Sequence, residues 1–226
     1  MGERPDLTEI VVIVGDAVRL ARCAWKPVAL ALIFGIGAGV VIDCWMDPRA
    51  GAAMTGVFGL VYLYFQVLIT ALALRAAGRT PAGWSARQPT MGRYPAAFAL
   101  QFLWLVGVLF GLLLLIVPGL IFALRWSVGL PALIGEKRTV ADALRRSWSL
   151  TRNQPVLLLF YGALVVAGYA AAFFVILRLY PEYGEVGLAS ALAANGLLSL
   201  AQVFGWLLTT ALYLHLSRDK PADTVN

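Results

Sequence analysis

Residues 117–154 read VPGLIFALRWSVGLPALIGEKRTVADALRRSWSLTRNQ, and the fold turns on how they are interpreted. An apolar run, Gly119–Gly135, follows a Pro-Gly pair and stops at Glu136; a charged, periodic stretch then fills 138–153. At about 1.5 Å per residue the apolar run reaches only about 25 Å, near the lower limit for crossing a bilayer. It either crosses or forms a re-entrant hairpin that returns the chain to the side it left.

Five longer apolar runs surround it: Val28–Met46, Met54–Ala77, Pro95–Val117, Pro155–Leu177 and Leu188–Leu216. The 226 residues are 61% hydrophobic and 13% charged, with mean hydropathy +0.81. Soluble domains carry about 25% charged residues, so a water-soluble fold is excluded. Charge then separates the two topologies. If Gly119–Gly135 crosses, segments 1–27, 75–94, 136–154 and 217–226 share one side and hold 15 of the 18 Lys and Arg residues. Arg49 and Arg178 fall on the other side, and Arg125 lies inside a span. The positive-inside rule places both termini in the cytoplasm, and a re-entrant fourth span would destroy the asymmetry. The expectation is an all-α polytopic membrane protein with 1–226 as a single transmembrane domain: six helices in three hairpins with cytoplasmic amphipathic helices.

Those amphipathic helices are expected at 5–24 and 138–153. In the first, Leu7, Ile10, Val11, Val14, Val18 and Ala21 recur at helical spacing; in the second, Val140, Ala143, Leu144 and Trp148 do so. Both read as helices lying in the headgroup layer. Asp16-Ala17-Val18-Arg19 also answers Asp142-Ala143-Leu144-Arg145, and each precedes a proline, Pro27 and Pro155. A weaker copy, Trp84-Ser85-Ala86-Arg87, leads to Pro95. The three prolines lie 68 and 60 residues apart, a period that fits an interfacial helix plus a hairpin. No cleavable signal peptide is expected, because the first 27 residues are polar and no small-residue cleavage pattern follows.

The Pro118-Gly119 pair, Arg125, the Leu-Pro-Ala-Leu-Ile run before Glu136, and Ala143-Leu144-Arg145-Arg146-Ser147-Trp148 with Leu150-Thr151 together resemble the YciC-like family. They also resemble the related membrane domain of glycerophosphoryl diester phosphodiesterases. The resemblance implies a bacterial inner-membrane module without an established activity. In fused members catalysis belongs to a separate soluble barrel, for which nothing in this chain could stand.

Few residues could support chemistry. His215 is the one histidine and has no evident carboxylate partner. Cys23 and Cys44 are about 31 Å apart along a helix, too far to pair, and have no metal-site spacing. Neither a serine-hydrolase elbow, a zinc-protease motif nor a phosphate loop occurs. Gly35-Ile36-Gly37-Ala38-Gly39 lies within a span without a preceding strand, so Gly35 and Gly39, like Gly107 and Gly111, read as small-residue helix packing that leaves room for self-association. No enzyme activity, cofactor or metal is expected.

The intramembrane polar residues are Asp43, Gln66, Gln101, Arg125, Asn195 and Gln202. A charge deep in a bilayer is disfavoured by about 2.5–3.5 kcal/mol on insertion scales, so Arg125 needs a partner, and apparent depth points to Asp43, met directly or through Gln66 or Gln202. At the interface, Arg145, Arg146, Ser147, Trp148 and Arg152 are expected to contact lipid or a partner, the indole in the headgroup layer and the arginines on anionic phosphates. The net charge of +6 marks topology and headgroup contact, not nucleic-acid binding, since no basic-aromatic patch stands free of the spans. The expected function is a scaffold or accessory module in envelope or lipid homeostasis, with a membrane-protein partner or a second copy as further partners. The alternative is a transporter or channel built on the polar cluster around Arg125.

Overall fold

The computed structural model describes residues 7–79, 87–179 and 186–218. Every regular element among them is a helix: α1 (Leu7–Cys23), α2 (Trp25–Trp45), α3 (Pro48–Ala76), α4 (Arg87–Leu114), α5 (Ile116–Arg125), α6 (Gly129–Gly135), α7 (Val140–Thr151), α8 (Pro155–Leu179) and α9 (Leu188–Leu216). Among the described residues six segments are long and apolar enough to cross a membrane: Trp25–Trp45, Arg49–Ala76, Gly92–Leu114, Ile116–Gly135, Pro155–Leu179 and Leu188–Leu216. The protein is a multi-pass membrane protein.

Helix boundaries follow local chemistry. Asp47 caps α3, its carboxylate accepting from the amides of Arg49 (3.0 Å) and Ala50 (3.1 Å), with Pro48 in the first turn, where an N–H would lack a partner. At the other end Gly78 adopts φ +69°; its N–H reaches the Arg75 carbonyl and that of Arg79 reaches Leu74, closing the helix with a left-handed glycine. Thr139 caps α7 by accepting from the Asp142 amide at 3.3 Å. Lys137, at φ 52°, turns the chain between α6 and α7.

Two boundaries differ from expectation. Pro118-Gly119 is not the hairpin turn: Leu115, extended at φ −169°, separates α4 from α5, and Pro118 is the third residue of α5. Gly119 instead lets two backbones touch, since a Cβ on Gly111 would lie 2.6 Å from its Cα. Pro95, read as the start of a span, lies inside α4. The expected helix at 5–24 is observed as Leu7–Cys23, with residues 5 and 6 outside the described residues. Trp84, Ser85 and Ala86 of the weak third repeat also lie outside them.

α9 is the central helix. Over its most apolar window 56% of residues are buried, against 17% for α2, α4 and α8. α2, α1, α8 and α3 pack around it. Many large exposed side chains are apolar, as with Leu113 (88% exposed) and Ile116 (76%) at the α4–α5 tip, which suits a lipid environment and no aqueous one. We call the end carrying Arg75, Arg93, Arg138 and Arg146 the basic end. The core is densest there: Leu74, Leu133, Ile134, Leu150, Leu208 and Leu212 are fully buried. α1 is part of this core, burying Ile13, Ala17 and Leu20 while Asp16 pairs with Arg19 (3.1 Å) and Arg218 (3.0 Å).

Candidate functional site

Two polar assemblies stand out, one near each end of the bundle. Near the end remote from the basic one, Gly35 and Gly39 lie one turn apart on α2. A Cβ at Gly35 would collide with the Tyr62 hydroxyl, and one at Gly39 with the Asn195 carboxamide. The glycines therefore admit polar side chains of α3 and α9 against the α2 backbone. Tyr62 donates to Ser199 Oγ (3.1 Å), and Asn195 Nδ2 donates to Asp43 Oδ2 (2.7 Å) and the Ala191 carbonyl (2.9 Å). Gln101 Nε2 donates to Gln66 Oε1 at 3.1 Å, and Tyr169 donates to Gln202 Oε1 at 2.9 Å.

These pairs surround a cavity of about 680 Å³ between α2, α3, α4 and α9. Asp43, Gln66, Gln101, Asn195 and Gln202 line it, with Phe58, Phe98, Phe102 and Trp206 as apolar wall. The volume falls within the roughly 300–1,000 Å³ usual for small-molecule sites. Asp43 and Thr55 sit toward the remote end, while Gln66 and Trp206 are each ten residues, about 15 Å, from the basic ends of α3 and α9. A carboxamide carries two donors and two lone pairs, so one pairing leaves hydrogen-bonding capacity for a guest. Among the described residues the cavity wall contains one carboxylate and no histidine or cysteine. Such a wall can bind by hydrogen bonding and shape.

The sixth expected member, Arg125, lies elsewhere, and the expected Asp43–Arg125 contact does not form. α2 packs on α9 and α3, whereas α5 packs on α4, α7 and α8, so the two charges sit on different flanks. Arg125 ends α5, its guanidinium 5.5 Å above the Trp148 ring. Its Nη1 is buried and has no hydrogen-bond partner among the described residues.

The second assembly occupies the basic end. The fourth span breaks between Arg125 and Gly129, freeing carbonyls that hydrocarbon cannot satisfy. α7 supplies the missing donor: Ser147 Oγ donates to the Arg125 carbonyl at 2.7 Å, and the Thr151 hydroxyl, which donates to the Ser147 carbonyl at 2.7 Å, lies 3.3 Å from it. Their four-residue spacing places them on one helical face. Next to the break, Glu136 accepts from Arg146 Nε (3.0 Å), Tyr213 (2.9 Å) and Arg138 Nε, and Arg93 donates to the Arg138 carbonyl at 2.7 Å. Arg146 is 2% exposed and Ser147 fully buried. Both were expected at the lipid interface, but they face inward because the broken span and Glu136 need their donors. Arg145, Trp148 and Arg152 remain exposed.

Sequence reasoning missed Glu136, Tyr213, Thr151, Tyr62 and Ser199. A lone carboxylate where an apolar span stops, ten residues before Arg146, was a usable signal for Glu136. The tyrosines gave none, since aromatic residues are common throughout the spans. At the end of α9, His215 Nδ1 is buried without a partner among the described residues. No three His, Cys, Asp or Glu side chains among the described residues cluster as metal ligands would.

No curated protein and no solved structure matches this chain. Residues 97–216 match the sequence model of the membrane domain of glycerophosphoryl diester phosphodiesterase. That stretch runs from α4 to the end of α9 and includes both the broken span and the α7 residues that complete it. It covers more than half of the 226 residues, and the chain therefore belongs to the family of this membrane domain.

Proposed function

We propose that this is a non-catalytic membrane module of the bacterial inner membrane, with its basic end and both termini in the cytoplasm. It serves envelope or lipid homeostasis by holding the polar head of an amphiphile in the cavity between α2, α3, α4 and α9. The observation that carries this reading is the convergence of Asp43, Gln66, Gln101, Asn195 and Gln202, from four helices, on one space of about 680 Å³.

The chemistry of the wall narrows the guest. Its one charged side chain is the Asp43 carboxylate, which repels phosphate dianions, while the amides offer neutral donors and acceptors. A polyhydroxyl or amine-bearing head suits such a wall, with its apolar tail along Phe98 and Phe102. Transport is the second reading. Below Gln66 and Trp206 the helices close on Leu74, Ile134, Leu208 and Leu212, which favours holding a guest over passing it through. The test is cysteine accessibility at positions 66, 101, 195 and 202. Labelling that is blocked by a sugar-headed detergent is expected; a sealed bundle leaves all four unlabelled and removes the reading. Labelling from both membrane faces would instead support transport.

A further inference from the structure

We propose a second, separate site at the basic end: the Trp148 face of α7 binds a phosphate group, that of an anionic phospholipid. One indole is the reference point for three arginines, one by contact and two by helical register. Arg125 lies over the ring, and Arg145 and Arg152 flank it at i−3 and i+4 on the same helical face. Trp148, Ser149, Arg145, Arg152 and Asn153 line a surface notch there.

The positive charge is poorly balanced. Asp142 approaches Arg145 only to 3.8 Å, and that arginine is 79% exposed. Arg152 makes no ion pair among the described residues, and Arg125 keeps a buried Nη1 without a hydrogen-bond partner among them. The indole compensates Arg125 in part through its ring face. Near hydrocarbon an uncompensated guanidinium is costly, and an anion brought to it gains correspondingly. Arginine presents a planar fork that matches two phosphate oxygens, and the Asn153 carboxamide adds a neutral donor.

The surroundings favour a lipid as the source. α8 begins two residues after Asn153 and exposes Val156 and Leu159, apolar surface close in sequence to the notch that suits an acyl chain. Trp148, 38% exposed, suits the headgroup layer. This site differs from the helix face suggested by sequence pattern: Arg146 and Ser147 are consumed inside, and Arg125, from a membrane span, adds its charge through the Trp148 ring without lining the notch. It is also independent of the cavity between α2, α3, α4 and α9.

The experiment is retention of phosphatidylglycerol by the full-length protein in phosphatidylcholine nanodiscs, read by native mass spectrometry, with inorganic phosphate as competitor. Each surface arginine near a membrane is worth about fivefold in affinity, so Arg145→Gln with Arg152→Gln should lower retention about 25-fold. Both side chains are exposed, so these changes leave folding intact. Arg125→Met tests the third guanidinium if its size-exclusion profile stays native; otherwise the surface pair decides. Retention insensitive to phosphate assigns the group to a lipid, whereas arginine-dependent displacement by inorganic phosphate assigns the site to a soluble phosphate. Equal retention by wild type and double variant, or no preference for phosphatidylglycerol over phosphatidylcholine, overturns the proposal. Gln101→Leu, which changes only the cavity, should leave this retention unchanged, so the two sites fail separately.

Discussion

At the basic end, Glu136 meets Arg146, Arg138 and Tyr213 at hydrogen-bonding distance, in the region where Leu74, Ile134, Leu150 and Leu212 are fully buried. Toward the other end, Asp43 meets Asn195 and Gln66 meets Gln101 around about 680 Å³ of space. Both regions pair their polar groups across helices. The cavity is what marks the second, and buried charge the first. In the first, the Ser147 hydroxyl completes a broken span and the Glu136 ion pairs lock α7 beneath it; in the second, neutral amides around a cavity remain available to a guest. Charge content is thus a poor guide to a site here, because the most strongly charged cluster serves the fold.

Arg146→Met puts that contrast under the greatest strain. It leaves Glu136 buried without its most buried partner, and loss of one member of such a pair costs about 3–5 kcal/mol. Thermal unfolding in detergent should show the loss, with much of it recovered when Glu136→Leu is added. A single variant as stable as wild type would mean that the basic cluster is not structural. A smaller effect is expected for Ser147→Ala combined with Thr151→Val, which removes both hydroxyls beside the Arg125 carbonyl and should cost about 1–3 kcal/mol. Proteolysis between α5 and α7 provides the local readout. The smallest stability change belongs to the cavity. Gln101→Leu removes one interhelical bond, worth roughly 0.6 kcal/mol in membrane proteins, yet should abolish protection of Cys-substituted position 202 by a sugar-headed detergent. A large loss of stability at Gln101 with protection intact would reverse the roles of the two regions.

Much of this was legible in the chain. Hydropathy marks all six spans, because hydrocarbon demands about 20 apolar residues whatever their neighbours. The motif from Pro118 to Thr151 identified the family, and the intramembrane amides Gln66, Gln101, Asn195 and Gln202 were recognisable as costly in lipid. Their arrangement was not. Arg125 and Asp43 looked paired because depth along a helix can be counted from sequence, whereas the flank a helix occupies cannot. Arg146 and Ser147 looked interfacial because periodicity identifies a polar face without saying whether water, lipid or a broken helix meets it. Gly35 and Gly39 read as a contact between helices, which they make, but that the contacting groups would be Tyr62 of α3 and Asn195 of α9 has no sign in the glycines themselves.

By itself, the sequence determined the membrane as solvent, the six spans, the basic asymmetry and the family, since each depends on properties that add along the chain. Only the tertiary structure decided which polar residues spend themselves on one another and which enclose a space. That choice rests on helix azimuth and on volumes left between side chains from distant segments, and neither has a local sequence signature.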